Sequence, residues 1–415
     1  MLTRRTHPTP HAPRPARRTD VVVVGGGTAG LAAAGRLTAA GLGVTVLEAT
    51  GRIGGRMATV HRDGFRLDRT GQLPLPGTPA LPRPLRLCRL SGGVLLRGAG
   101  RTHRVGGAAP AGDEADDHAW LHSSLARLRH CPEARLRAWP ELTAASALSA
   151  RGIPPGIAER SLRPLLTALL HDPELDSSSR LGDLALRSFA RGGLSLPAGG
   201  AGALPELLAS RLPAGTVRTG VRATEVSTTA VTTHGHGTFR CRAVVVATGA
   251  AEAARLLPGL RVPAFRPVTV LHHAAPGALP SGAALVVEAA DRGPVTHSVA
   301  ASAADPSRAP GGRTLVTSVV LGERAAEPPE LLDKAARSQL GAMHQAPADD
   351  WELLAVHHDP QALPAAPPPY PAVRRARLLD GLYVCGDHRD VPGPPGDLSS
   401  AARAVQALLK DLAGR

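Results

Sequence analysis

Apolar and polar positions follow one another along the chain in a pattern that predicts an α/β fold. Residues 21–24 are four consecutive valines, which predict a strand buried on both faces, as in parallel sheets. Leucines and alanines recur at helical spacing over residues 31–40, and Gly41 follows them as a helix-ending residue. Residues 44–47 form a second apolar run. Together these elements predict a strand–helix–strand unit with parallel strands.

The rest of the chain predicts further strands and helices in mixed order. Leucine-rich segments repeat at helical spacing, whereas valine-rich segments read as strands. We predict a hairpin at 94–105, helices within 118–190 and at 204–212 and 331–340, short strands at 216–218, 224–227 and 239–247, strand-like segments within 265–320, a proline-rich loop at 360–371, a strand at 381–387 and a final helix at 399–412.

The length of 415 residues predicts more than one domain. We predict a parallel-sheet domain, discontinuous in sequence, from residues 20–80, 196–260 and 375–415, and an inserted domain of mixed sheet and helices from 81–195 and 261–374. Residues 1–19 are basic and proline-rich without an apolar stretch. They therefore predict a disordered tail, not a secretory signal.

The net charge of +14 raises the question of a nucleic-acid partner. Only two of the 48 basic residues are lysines and the chain has no asparagine, which is typical of a coding sequence rich in G and C. Outside the tail the arginines are spread along the chain, and aromatic residues make up only 2% of it, so few side chains could stack on bases. We therefore predict no nucleic-acid partner.

The four cysteines, Cys88, Cys131, Cys241 and Cys385, are far apart, and no spacing of cysteine and histidine fits a zinc site. This pattern predicts no disulfide framework, no metal and a reducing, cytoplasmic location. No apolar run reaches the roughly 20 residues of a membrane helix, so we expect no integral membrane segment. The sequence does not indicate an oligomeric state.

A glycine-rich motif joins the first predicted strand to the first predicted helix. Gly25 permits the tight turn of this G-x-G-x-x-G sequence, Gly27 lets the backbone approach a pyrophosphate, and Gly30 lets the helix pack close to the sheet. Thr28 and Ala29 lie where the helix begins, and the positive end of the helix favours a phosphate. The motif predicts a dinucleotide site.

Glu48 ends the second predicted strand and is placed to accept hydrogen bonds from the ribose hydroxyls of an adenosine, which disfavours a 2′-phosphate. The stretch that it opens, E-A-T-G-R-I-G-G-R at 48–56, resembles that of the FAD-dependent amine oxidase, phytoene desaturase and protoporphyrinogen oxidase superfamily. The resemblance implies that Ala49, Gly55 and Arg56 belong to an FAD site. There the glycines let the chain fold back over the cofactor, and Arg56 faces its phosphates or the residues around them.

Three later segments are similar to the same superfamily. The resemblance implies that the main chain of Val221 meets the adenine, that an A-T-G turn at 247–249 lies beside the cofactor, and that Gly386 and Asp387 of the G-L-Y-V-C-G-D stretch hold its ribityl or phosphate part. Leu398, near the start of the last helix, would offer its main-chain N–H to the flavin. The FAD would be non-covalent, since no cysteine is placed for attachment.

Asp397 departs from the superfamily, which has a small residue near this edge of the flavin. Its carboxylate either caps the last helix or points at the ring, and we expect the cap.

The resemblance names no catalytic residue in this chain. Amine oxidases of the superfamily flank the flavin with aromatic residues, but Tyr370 and Tyr383 are the only tyrosines and Tyr383 lies in a predicted buried strand, so we expect no aromatic cage for an amine. Lys334 and Lys410 are predicted on the surface.

The histidines are the other candidates. His272 and His273 lie on a strand that would lead into the substrate cavity. Because side chains alternate along a strand, only one of the two can face inward. The alternative is that they are polar residues of an edge strand. His388 either approaches the flavin or makes a structural hydrogen bond. We expect His171 and His344 on the surface, along with His103 and the His234/His236 pair.

These observations predict a Rossmann-type FAD-binding domain with an inserted substrate domain, in an FAD-dependent oxidoreductase. It would take a hydride from a C–H bond of an apolar or amine-like small molecule, as a desaturase, dehydrogenase or oxidase, and O2 or another acceptor would reoxidise the flavin. One alternative is a flavin-binding isomerase or degenerate relative without redox turnover. Another is an NAD-dependent dehydrogenase, which the loop at 54–56 opposes.

Overall fold

The structure is a computed structural model that describes residues 17–71, 81–98, 102–105, 115–370 and 373–414. Most of the predicted tail therefore lies outside the described residues, as does the turn of the predicted hairpin. The described chain forms two large sheets, three smaller ones and the helices that pack on them.

The first large sheet contains the predicted parallel strands. Its first five strands run parallel and the sixth runs antiparallel to the fifth. In spatial order the strands are Val217–Arg218, Val44–Leu47, Val21–Val24, Ala243–Val246, Leu382–Val384 and Arg377–Leu379. The strands come from both ends and the middle of the chain. Because five of the six run parallel, the α/β prediction with a parallel sheet is confirmed.

The four valines at 21–24 show why this sheet is buried on both faces. Val21 and Val23 pack towards the helices Thr28–Ala39 and Pro394–Ala413, whereas Val22 and Val24 pack towards the other side. That other side is covered by a four-stranded sheet and the short helix Ala250–Leu256. The continuous apolar run therefore fills two cores with alternate side chains.

The four-stranded sheet differs from the predicted short strands. It consists of Arg17–Arg18, Gly237–Arg240, Ala230–Thr233 and Ala223–Val226. The predicted strand at 239–247 is in fact two strands in two different sheets, and the strand Ala230–Thr233 was not predicted. Its sequence, A-V-T-T, is too short and too polar for the hydrophobic pattern to predict a strand there.

The second large sheet has seven strands, and each neighbouring pair is antiparallel except one. In spatial order they are Glu352–Pro364, Phe265–Pro276, Arg313–Leu321, Val295–Ala300, Leu285–Glu288, Val94–Arg97 and Thr102–Val105. The last two form the predicted hairpin. Two-stranded sheets pair Thr59–Arg62 with Phe65–Asp68 and Leu87–Arg89 with Ser195–Pro197.

Helices cover both faces of the second sheet. The helix Pro329–His344 lies on one side. On the other side lie Ala115–His130, Glu133–Arg137, Ala144–Ala150, Pro155–Ile157, a π-helical turn Ala158–Leu162, Arg163–Leu170, Ser179–Gly192 and Ala301–Ala304. The helix Ala203–Ala209 packs against the helix Thr28–Ala39 of the parallel-sheet region. Single 3₁₀ turns are Gly55–Met57, Pro306–Arg308, Gly322–Ala326 and Asp387–Arg389. Within the described ranges, no helix combines the length and apolarity needed to cross a membrane.

Two predicted boundaries were wrong. The loop predicted at 360–371 begins with strand residues, because the strand Glu352–Pro364 stays paired with its neighbour as far as Phe265 and Pro364. The last helix begins at Pro394, five positions before residue 399. Prolines in the first helical turn are compatible with a helix start, since their missing N–H has no partner there anyway.

The buried histidines were also placed wrongly. His171 and His344 lie in the interior and not on the surface, and His272 and His273 are both buried, since their strand is central in a sheet covered on both faces. His272 bonds through Nε2 to the Asp68 carbonyl, and His273 bonds to Asp333 on the opposite face. The His234/His236 pair and the two lysines are exposed, as predicted.

Candidate functional site

The G-x-G-x-x-G motif forms the turn between the strand Val21–Val24 and the helix Thr28–Ala39. Gly25 has a φ of +109°, and a Cβ there would lie 2.8 Å from the carbonyl oxygen of Ala247. A Cβ on Gly30 would lie 1.9 Å from the Gly25 carbonyl oxygen. Gly27 is different, because a Cβ there would meet nothing within 4 Å and would project into a cavity. Two glycines thus shape the turn, and the third keeps open space beside it.

The helix that follows presents an uncapped N-terminus to the same cavity. Gly27 is its N-cap, no side chain caps it, and its first turn contains no acidic residue. The first N–H groups of a helix have no partner inside the helix. Thr28 and Ala29 line the cavity, and the buried Oγ1 of Thr28 has no hydrogen-bond partner among the described residues. These donors and the helix dipole suit a phosphate.

A second glycine loop lies against the first. The N–H of Gly54 donates to the Gly26 carbonyl at 2.9 Å, and Gly27 and Gly54 form an isolated parallel bridge. Gly54 has a φ of +103°, which lets the chain reverse before the 3₁₀ turn Gly55–Met57. The loop therefore forms a wall of the cavity beside the helix N-terminus.

Glu48 ends the strand Val44–Leu47 with its carboxylate held in place on both oxygens. Oε2 accepts the Gly26 N–H at 2.7 Å, and Oε1 accepts the N–H and the hydroxyl of Thr50, each at 2.8 Å. A carboxylate oxygen can accept two hydrogen bonds, so acceptor capacity remains for a ligand. The Glu48 carbonyl also accepts the Val221 N–H at 2.8 Å, so this N–H is already engaged within the protein.

Arg56 and Asp387 form an ion pair across the cavity wall. Arg56 Nη2 donates to Asp387 Oδ1 at 2.7 Å, and Arg56 Nη1 donates to the Ala362 carbonyl at 2.7 Å. Asp387 Oδ2 accepts the Gly393 N–H at 3.1 Å. Burial acts to lower the pKa of Arg56, but the carboxylates of Asp387, Asp397 and Asp359 together outweigh this effect and the net shift is upward, so the guanidinium stays charged.

Asp397 does not cap the last helix, contrary to the prediction. The helix begins at Pro394, so Asp397 lies within its first turns, where its Oδ1 accepts the Asp387 N–H at 2.9 Å. The carboxylate lines the cavity. Burial, together with the nearby Asp387 carboxylate, raises the pKa of Asp397 to about 7.

We call the space enclosed by these groups the glycine cavity; its volume is about 320 Å³. Of the residues predicted for the FAD site, those that line it are Gly25, Gly27, Thr28, Ala29, Glu48, Ala49, Gly55, Arg56, Val221, Gly386 and Asp387. Residues from separated parts of the sequence thus meet at one cavity, and both the first glycine turn and the last helix contribute to it.

The structure does not bring Gly30 or Leu398 to this cavity. Gly30 is buried under the turn, in keeping with its predicted packing role. Leu398 is the fifth residue of the last helix, a position whose N–H bonds within a regular helix, and its side chain packs in the core beneath the parallel sheet. The early start of the helix is the reason for this difference.

Some residues at the glycine cavity were not assigned from the sequence. Phe265, Asp359 and Gln361 come from two strands of the seven-stranded sheet, and nothing in their local sequence indicates a site. Thr248, in the predicted A-T-G turn, also lines the cavity, and its Oγ1 is buried without a partner among the described residues. A buried hydroxyl without a partner is costly unless a ligand satisfies it.

These features test whether FAD fits the residues present. An uncapped helix N-terminus and a glycine whose Cβ would meet no protein atom within 4 Å lie at the glycine cavity. Two residues that line it, Thr28 and Thr248, have buried hydroxyls without a partner among the described residues. Glu48 offers carboxylate oxygens at the end of the second strand. None of the four cysteines lines the cavity, all of them being among the described residues. The donor and acceptor set therefore fits a non-covalent dinucleotide such as FAD.

A second cavity, which we call the apolar cavity, adjoins the first at Met57 and has a volume of about 420 Å³. The last helix contributes its N-cap Gly393, Pro394 and Pro395. Most of its remaining lining is apolar: Met57, Leu81, Leu85, Ala168, Leu169, Leu170, Leu181, Leu184, Ala185, Pro197, Leu204, Leu363, Pro364, Val391 and Pro392. Neither tyrosine lines either cavity, and neither does His272, His273 or His388.

His171 is the histidine that lines the apolar cavity. It is 4% exposed, has a φ of +52° and follows the helix Arg163–Leu170. Its Nε2 has no partner among the described residues, and burial lowers its pKa to about 4, so the ring is neutral at pH 7. The sequence offers no pattern that separates this histidine from the exposed ones.

Comparisons with known proteins agree with this geometry. Residues 28–409 match the family model of flavin-containing amine oxidoreductases. A phytoene desaturase from Cercospora nicotianae is 41% identical over 66 residues, 16% of this chain and 11% of the relative, and an amine oxidase [flavin-containing] B from Sus scrofa is 46% identical over 74 residues, 18% of this chain and 13% of the relative. Each of these curated relatives is thus matched over only a small part of its length.

Solved structures match nearly the whole chain. An oxidoreductase from Methanosarcina mazei has a TM-score of 0.72 at 17% identity and covers 94% of this chain and 100% of its own. A protoporphyrinogen oxidase, so described provisionally, from Exiguobacterium has a TM-score of 0.70 at 18% identity, with 96% and 99% covered. The fold is therefore shared, and the family match extends over most of the sequence. The chain belongs to the family of flavin-containing amine oxidoreductases, whose members are oxidoreductase enzymes that use FAD.

Proposed function

We propose that this protein oxidises an apolar small molecule with FAD held in the glycine cavity. The observation that carries the proposal is that the first glycine turn, Glu48 and the last helix meet at one cavity. This cavity shares the lining residue Met57 with a second, apolar one. The first cavity offers the contacts of a dinucleotide, and the second offers space for a substrate beside its reactive end.

The residues of the glycine cavity would hold FAD by its separate parts. The N–H groups of Thr28 and Ala29 and the Thr28 hydroxyl would bind the pyrophosphate. Glu48 would accept hydrogen bonds from the ribose, and the Val221 carbonyl would accept from the adenine. Asp387 and Thr248 would face the ribityl part. Bound FAD supplies the capacity to accept a hydride.

The apolar cavity would orient the substrate and exclude water from the reacting centre. Its apolar walls favour binding of an apolar substrate over a polar one that is well solvated in water. The lack of an aromatic cage at either cavity, among the described residues, speaks against an amine held between two rings. The His171 ring is neutral at pH 7 because burial lowers its pKa, and its Nε2 has no partner among the described residues, so it can accept a hydrogen bond from the substrate at this wall.

An oxidase reoxidises its FAD with O2, whereas a dehydrogenase or desaturase uses another acceptor. We propose that O2 or another acceptor reoxidises the FAD of this protein. The isomerase alternative keeps the same cavities but no net redox turnover. The predicted domain division and the cytoplasmic location stay predictions, as does the absence of a nucleic-acid partner.

An anaerobic substrate screen tests the proposal. Purified protein loaded with FAD would be mixed with polyenes, porphyrinogen-like compounds and amines, and the visible absorption of the flavin would be followed. We expect an apolar compound to bleach the flavin and air or an added acceptor to restore it. Protein that retains FAD but catalyses only rearrangement of a compound, without net bleaching or acceptor use, would favour the isomerase and overturn redox turnover.

A further inference from the structure

At the solvent-exposed side of the apolar cavity, two arginines share one carboxylate. Of the five charged residues that line it among those described, two are paired with residues outside the lining: Arg266 with Asp172 at 2.7 Å and with Asp176, and Asp390 with Arg403. The other three are Glu133, Arg137 and Arg187. One carboxylate therefore faces two guanidinium groups.

Glu133 is engaged mainly with Arg137. Arg137 donates to Glu133 Oε1 from Nη2 at 2.6 Å and from Nε at 3.0 Å, whereas Arg187 Nη1 lies 3.8 Å from the other oxygen. Glu133 and Arg137 are about half exposed, but the Arg187 side chain is only 13% exposed, and its Nε is buried without a partner among the described residues. A largely buried guanidinium whose nearest carboxylate lies beyond hydrogen-bond distance can bind an anion.

The position of Arg187 along its helix sets the length of the ligand. Ser178, which caps the helix Ser179–Gly192, donates its N–H to the carbonyl of Ala366, so this end of the helix lies beside the chain that follows the strand Glu352–Pro364. On that strand Leu363 lines the apolar cavity and Gln361 lines the glycine cavity. Leu181, Leu184 and Arg187 follow at helical spacing along the lining. Arg187 lies about 9 Å further along the axis than Leu181, at 1.5 Å per residue.

We propose that the apolar cavity takes an amphiphilic carboxylate, whose anion binds Arg187 near the exposed side and whose apolar chain extends past Leu184 and Leu181 towards Met57. The C–H bond that reacts is then several carbons away from the carboxylate. This inference rests on the proposed function for the identity of the reaction, but the binding itself does not require turnover.

Calorimetric titration of the FAD-loaded protein with decanoate and with decylamine tests the proposal, because the two probes share a chain and differ in the charge of the head group. We expect decanoate to bind and decylamine to bind at least tenfold more weakly. Arg187→Met should weaken decanoate binding by about tenfold or more, since a charge-assisted hydrogen bond is lost. Arg187→Lys, which keeps the charge, should retain the preference for decanoate.

Arg135→Met is the matched control, because Arg135 is exposed on the neighbouring helix Glu133–Arg137 and does not line the cavity. It should leave decanoate affinity unchanged. Equal or tighter binding of decylamine, or wild-type decanoate affinity in a folded Arg187→Met, would overturn the proposal. Flavin absorption is recorded in parallel: a protein that binds decanoate but no FAD contradicts the proposed function, whereas one that retains FAD but ignores decanoate contradicts only this inference.

Discussion

Glu48 orders the loop around it and also offers acceptors to a ligand. Its two oxygens together hold Gly26 and Thr50, so the carboxylate is fixed before any ligand arrives. Preorganisation of this kind reduces the entropy lost on binding. The sequence predicted the ribose contact from position alone, and the structure adds the bonds that orient the side chain.

Glu48→Ala should weaken FAD binding by about tenfold to a hundredfold, because hydrogen bonds to a charged acceptor are worth roughly 1.5–3 kcal/mol. The measurement is a fluorescence titration of apoprotein with FAD. Thr50→Val is the control, since it removes the hydroxyl contacts to Glu48 Oε1 and to the Arg52 carbonyl but keeps the carboxylate, and it should change the affinity far less. Unchanged affinity in Glu48→Ala would show that the ribose lies elsewhere.

Asp397 gives the glycine cavity a titrating group near neutral pH. Its pKa is raised to about 7 by burial and by Asp387, so the side chain is mostly neutral at pH 6 and mostly charged at pH 8. Since the FAD pyrophosphate is anionic, FAD should bind more tightly at pH 6 than at pH 8. Asp397→Asn should bind FAD tightly at both values. An affinity in the wild type that does not fall with rising pH would contradict this assignment.

Three separate chain segments meet at Arg56. The guanidinium joins the 3₁₀ turn Gly55–Met57 to Asp387 after the strand Leu382–Val384 and to Ala362 on a strand of the other large sheet. The contact therefore fixes one sheet relative to the other at the cavity wall. The motif predicted the residue but not these partners, because they are more than 300 positions away in sequence.

Arg56→Met should destabilise the protein by about 3–5 kcal/mol, because it leaves Asp387 buried without its counter-charge. Arg56→Lys should recover only part of this loss, since one ammonium group does not match a planar guanidinium that reaches two acceptors. Thermal and urea unfolding of the apoproteins measure both effects. Arg52, exposed in the same loop, offers the control Arg52→Met, which should change stability little. A wild-type stability for Arg56→Met would show that the pair contributes nothing.

At the scale of the whole molecule, the sequence predicted the parallel sheet and most of the glycine cavity. Valine runs, helix-ending glycines and the G-x-G-x-x-G motif are local signals. Each was sufficient to predict its strand, helix end or turn, because residues that are close in sequence determine these elements. The contributions of Phe265, Asp359 and Gln361 could not be predicted in the same way, since long-range strand pairing brings them to the cavity.

The second cavity shows the same limit. Arg187, Arg137 and His171 lie on helices and turns whose sequences give only an apolar spacing, and the exposed or buried state of each depends on which helix packs beside it. His272 and His273 alternate faces as predicted, but a central strand covered on both sides buries them both. Tertiary packing therefore decides these positions.

The central claim is that the cavity beside Gly27 holds FAD, and one substitution tests it directly. Gly27 has φ −79° and ψ −176°, which any residue adopts, and a Cβ there meets no protein atom within 4 Å. Gly27→Val should therefore leave the unfolding temperature of the apoprotein close to that of the wild type while its side chain occupies ligand space.

The measurement is FAD affinity of Gly27→Val beside Gly35→Val, which adds the same side chain further along the same helix, where a Cβ also meets nothing within 4 Å. We expect Gly35→Val to bind FAD as the wild type does and Gly27→Val to lose about tenfold or more in affinity, since overlap of an added group in a close-packed site costs roughly 1–3 kcal/mol. Wild-type FAD affinity in a folded Gly27→Val would contradict the account.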